Sequence, residues 1–96
     1  MTQLSRHGRM AQEYWQTYRP RALTELGSPQ QQEEFFHVLD MRVTEKIGEL
    51  TNELLQQVPT GQRAAARRAV RSQAQELVYA EEVFLDKEPG TEHREM

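Results

Sequence analysis

Apolar positions recur along this chain at helical intervals and nowhere at the two-residue interval of a strand. Ala11, Trp15, Tyr18 and Ala22 follow one another at four, three and four residues, the spacing of one helix face. Pro20 falls inside that pattern. An interior proline removes a hydrogen bond and clashes with the preceding turn, so a kink or a break is expected near Arg19. Gly27 then closes the segment as a helix C-terminal glycine does. The stretch "GSPQQQEEFF" restarts the chain. Ser28 suits the cap, Pro29 the first helical position and Gln31 the partner position of a capping box. Glu33 and Glu34 favour the positive end of the helix dipole. Phe36, Leu39, Val43, Ile47, Leu50 and Leu54 share one stripe of the following helix, which should run to about Gln57, before Pro59 and Gly61. A helix of about 28 residues spans roughly 42 Å and requires a long partner.

That partner is the third pattern. Ala66, Val70, Leu77 and Phe84 lie on one face, with Ala74 and Leu85 at its edge, and Thr60 is available as a cap. The connection "VPTG" is short, so the two long helices should be antiparallel neighbours. The expected fold is all-α: a long antiparallel helical hairpin with a shorter, proline-interrupted N-terminal helix packed on it. Residues 8–86 would form one helical domain. Residues 1–7 are read as flexible and residues 87–96, "KEPGTEHREM", as a disordered acidic tail.

The composition narrows the function classes. The chain has 96 residues, 36% of them hydrophobic, a mean hydropathy of −0.87, and a net charge of −3 from 12 basic and 15 acidic residues. A core this small makes self-association a reasonable expectation. The charge balance is not that of a general nucleic-acid binder. The absence of cysteine removes disulfides and thiolate metal sites and is compatible with a reducing cytoplasm. No apolar run reaches the about 18 residues of a membrane span, and the N-terminus lacks a hydrophobic signal core. His7, His37 and His93 are far apart, and His37 with Glu33 and Glu34 makes a surface pair rather than a metal site. No phosphate loop, nucleophile elbow or paired-carboxylate spacing appears. The expectation is a cytoplasmic protein that is not an enzyme and carries no cofactor or metal.

The functional lead is "RAAARRAVR", with Arg63, Arg67, Arg68 and Arg71 in nine residues. In an antiparallel hairpin, Glu53, Glu49 and Glu45 stand at heights near Arg63, Arg67 and Arg71. Such pairs would contribute about 0–1 kcal/mol each. At about 100° per residue, however, the two sets fall on opposite rotational sides of their stripes, so direct bridges are not expected away from the loop. The arginines also occupy the N-terminal half of their helix while Glu76, Glu81 and Glu82 occupy the C-terminal half, against the helix dipole. A solvated or internally paired face is the first reading, an acidic protein surface the second and nucleic-acid phosphate the third. Trp15 with Tyr14 and Tyr18 reads as core packing before it reads as a recognition platform. Trp15, Tyr18, Phe36, Val43, Leu50, Leu54, Val70, Leu77 and Phe84 are the expected core or interface, and a homodimer with a further protein partner the expected assembly.

Three segments also carry a family resemblance. Met10, Ala11, Tyr14, Trp15 and Pro20, then Phe35, Phe36, Leu39 and Ile47, then Ala80, Glu81 and Glu82 form a pattern that resembles small actinobacterial mobile-element proteins of the transposon-encoded TnpV-like group. Residues 59–79, which hold the arginine run, depart from it. The resemblance implies a mobile-element setting and no residue roles. The sequence thus points to a non-enzymatic helical interaction protein, with a nucleic-acid-binding accessory using Arg63, Arg67, Arg68 and Arg71 as the alternative.

Overall fold

A computed structural model describes residues 3–96. Its helices are α1, Arg6–Tyr18; α2, Pro20–Glu25; α3, Pro29–Gln56; and α4, Arg63–Glu82, preceded by a single 3-10 turn at Thr60–Gln62. There is no strand among the described residues. The fold is all-α, an antiparallel α3–α4 hairpin with the interrupted α1–α2 segment packed across it.

The local signals act where the sequence puts them. Pro20 separates α1 from α2 at Arg19, whose φ of −135° and ψ of 48° leave the helical region. Gly27 takes φ 116°, a value that L side chains rarely adopt. Ser28 and Gln31 complete the capping box in both directions, with Pro29 in the first turn. Thr60 differs from expectation. It opens the 3-10 turn, and α4 starts without a side-chain cap.

The core lies where α1 crosses the open end of the hairpin. Trp15 packs against Phe35 and Phe36 at centroid distances of 5.1 and 5.7 Å. Ala11, Tyr14, Tyr18, Leu39, Val43 and Ile47 are buried with them, and Leu50 and Leu54 pack half-buried on the same cluster. On α4 the buried residues are Ala74, Val78 and Tyr79, followed by Val83. This corrects the expected stripe. Val70 is half-buried, while Leu77 and Phe84 are 51% and 46% exposed. The helical projection fails at Phe84 because α4 ends at Glu82, and the Phe84 amide turns back to the Tyr79 carbonyl. Phe84 instead lies against the Tyr14 and Tyr79 rings.

Both ends of the chain also differ from expectation. Of the segment read as flexible, Met1 and Thr2 lie outside the described residues. Ser5 caps α1, and its backbone N–H donates to Asp40 of α3 at 2.6 Å. The segment read as a disordered tail folds back over the break between α1 and α2. The Glu88 amide donates to the Tyr18 carbonyl, and the Glu88 carboxylate accepts from the amides of Arg21 and Ala22. Thr91 is buried and donates to the Tyr18 carbonyl, while the Tyr18 hydroxyl donates to the Arg94 carbonyl. The physical reason is the proline break. It leaves the last carbonyls of one helix and the first amides of the next without helical partners, and residues 86–94 serve them.

The hydrogen bonds and ring contacts of α1 reach no farther than Asp40 on α3 and Gln75 on α4 among the described residues. Beyond those positions the hairpin continues to its loop as an arm two helices thick. The whole molecule measures 49 × 33 × 16 Å.

Candidate functional site: the basic face of the hairpin arm

Arg63 stands apart from the other three arginines. Its Nε donates to the Val58 carbonyl at 2.9 Å and its Nη2 to the Gln56 carbonyl at 3.4 Å. These oxygens belong to the last turn of α3 and the loop, where carbonyls lack helical partners and the dipole favours a cation. Arg63 therefore closes the hairpin. This corrects its expected grouping with Arg67, Arg68 and Arg71.

Those three are exposed, and none has an ion pair among the described residues. The only ion pairs among the described residues join Glu82 to Arg42 at 3.1 Å and to Lys46 at 2.5 Å, toward the open end. The hydrogen bond from Lys46, aided by Arg42, holds the Glu82 carboxyl below its ordinary range against its burial. Glu49 and Glu53 line a shallow cleft with Lys46, Leu50, Val78 and Glu81.

Arg67, seven residues before the buried Ala74, stands nearer the seam. Arg68 and Arg71 continue, at intervals of three, four and four, a stripe whose next members are Gln75 and Tyr79. Both of those hold α1: the Arg6 guanidinium donates to Gln75 Oε1 at 3.0 Å, and His7 Nδ1 lies 2.5 Å from the Tyr79 hydroxyl. Tyr79 and Glu81 are two residues, or about 200°, apart around the helix. The face bearing Arg68 and Arg71 is thus the one across which α1 begins, with Arg67 at its seam edge, and Arg6 joins it from the other chain segment. The sequence reading did not include Arg6. Its signal was an arginine in the first turn of a helix, a position the dipole disfavours.

A buried polar knot lies beside Arg6. Asp40 accepts from both the backbone and the hydroxyl of Ser5. Burial by itself would raise the Asp40 carboxyl, but these bonds outweigh it and hold it below its ordinary range. His7 is held below its ordinary value, first by burial and then by the charge of Arg6; Asp40 opposes this and Arg71 adds to it. Burial raises the Tyr79 hydroxyl. We assign the hydroxyl as donor to a neutral His7 Nδ1, since protonation there would remove the acceptor. Gly8 completes the approach: a Cβ there would stand 2.9 Å from Asp40 Cβ. The knot joins α1, α3 and α4, and no group of His, Cys, Asp or Glu able to hold a metal occurs among the described residues.

No described helix is long and apolar enough to cross a membrane. No protein-family profile, curated protein or solved structure matches the chain.

Proposed function

We propose that this protein is a non-enzymatic interaction protein that works as a homodimer through its hairpin arm. The setting that fits the resemblance to TnpV-like proteins is that of a cytoplasmic mobile-element accessory, with a further protein as its client. The observation carrying the reading is the missing third layer. At the open end α1 covers the hairpin and Phe36 and Val43 are fully buried. Along the arm, Leu50, Leu54 and Val70 remain half-buried, and where the arm meets the end held by α1, Leu77 is 51% exposed. Two helices with an uncovered apolar face form half of a four-helix bundle. The face also carries both signs of charge, Lys46 beside Glu49, Glu53 and Glu81. A second copy is therefore a fitting occupant.

The test is light scattering at micromolar concentrations, with Leu77→Glu as the variant. Leu77 is exposed enough for the fold to tolerate the charge. The expected result is a dimer mass for the native chain and a monomer mass for the variant, with equal helical content by circular dichroism. A monomer mass for the native chain at every concentration would refute the reading.

A further inference from the structure

We propose that the face formed by Arg6, Arg67, Arg68 and Arg71 binds the phosphate backbone of a nucleic-acid duplex. This goes beyond the homodimer reading, because it uses the opposite face of the arm.

The first observation is charge separation. Residues 54–75 contain four arginines and no carboxylate, bounded by Glu53 and Glu76. Removing those four charges from the net of −3 leaves −7 on the rest of the chain. The second longest stretch without a carboxylate is residues 1–12, which ends at Glu13 and contains Arg6 and Arg9. The fold joins these two segments through the bond from Arg6 to Gln75. Two acid-free stretches, distant in sequence, thus form one surface. Of the carboxylates beside it, Asp40 is buried and already accepts from Ser5, and Glu76 bounds it next to Gln75.

The second observation is the environment of the arginines. Ala66 and Val70 between them are half-buried, and the exposed apolar residues between them are Ala64, Ala65 and Ala69. These present no apolar anchor of the kind that dominates protein–protein interfaces, and they allow a bulky strand to approach closely. An exposed face of planar guanidinium groups without apolar side chains matches the polar, positively charged surfaces that meet nucleic-acid backbones. The first turn of α4 has neither an acidic residue nor a side-chain cap, so its dipole adds to the field. Among the described residues no exposed aromatic side chain stands among the arginines, and Tyr79 of the same stripe is buried. Single strands are held by stacking on aromatics, so the face suits a duplex, read through its phosphates without sequence preference.

The experiment measures fluorescence anisotropy of labelled random-sequence 20-mer probes against the full chain: duplex DNA, duplex RNA, single-stranded DNA and poly-glutamate. Four phosphate contacts predict a salt slope of about −3.6 and a roughly 100-fold loss of duplex affinity between 50 and 200 mM salt. Arg67→Gln/Arg71→Gln should bind more weakly and lose only about tenfold over that range, as two contacts require. Arg94→Gln, at the other end of α1 beside Thr17, should behave as the native chain. The two duplex probes decide between DNA and RNA as the source of the phosphates. The proposal is overturned by absence of duplex binding at 50 mM salt, by an unchanged slope in the double variant, or by poly-glutamate binding as tightly as either duplex. The two substituted arginines are exposed and have no ion pair among the described residues, so circular dichroism should confirm a folded variant in each comparison.

Discussion

Trp15 shows how much of this small core rests on one side chain. It is 6% exposed, edge-on to Phe36, tilted against Phe35 and covered by the Arg19 guanidinium at 4.6 Å. Its indole N–H has no acceptor among the described residues, so the ring is retained by packing. Removing it should open a cavity that three elements cannot close together. Trp15→Ala is expected to cost about 3–5 kcal/mol, the usual range for a buried large aromatic. Trp15→Phe should cost markedly less, because it keeps part of the packing and removes an unpaired donor. Denaturant unfolding of both variants checks this. An unchanged midpoint for Trp15→Ala would return the residue to the role of an exposed recognition platform.

At the scale of elements, the legible parts were those set by short-range chemistry. Ser28, Pro29, Gln31 and Gly27 act through backbone geometry within a few residues, and they gave the α3 start directly. The α3 stripe was legible because 28 residues average out local noise. The α4 stripe was not, because Arg67 and Arg71 sit beside the seam and the buried Tyr79 and Val83 turn toward α1. Nor was the order of the chain ends. Ser5 and Glu88 bond to groups 35 and 66–67 residues away, and no local pattern encodes such a distance. One signal was present: Asp40 stands on the core stripe of α3, four residues after Phe36 and three before Val43, and a carboxylate there needs a partner. The rotational separation of Glu45, Glu49 and Glu53 from the arginines has a direct test. In a cycle of Glu49→Lys, Arg67→Glu and the double variant, the coupling should be within about 0.3 kcal/mol of zero. A coupling above about 1 kcal/mol would show that the hairpin pairs these charges itself.

For the whole molecule, the knot at His7 and Asp40 ties all three packed helices, so its protonation bears on global stability. His7 faces Arg6 from α1, Asp40 from α3, and Tyr79 and Arg71 from α4. Burial and the two arginines outweigh Asp40, and the folded pKa lies below the ordinary 6.5. The unfolded chain therefore takes up the His7 proton first as pH falls. Where the unfolded state binds more protons, stability rises with pH. The His7 contribution is complete above about 6.5 and is lost as pH falls through the lower folded value. Asp40 and Glu82 also have lowered pKa values, so their contributions are present above their ordinary values of 3.8 and 4.5 and disappear below them. Acid unfolding should thus proceed in two stages, the first beginning near pH 6.5 and the second below about 4.5. His7→Gln should remove the first stage and leave the second. Thermal unfolding from pH 7.5 to 3 measures both. A native chain whose midpoint does not move between pH 7.5 and 5 would mean that His7 does not lie neutral between the helices, and the assigned Tyr79 donor would fall with it.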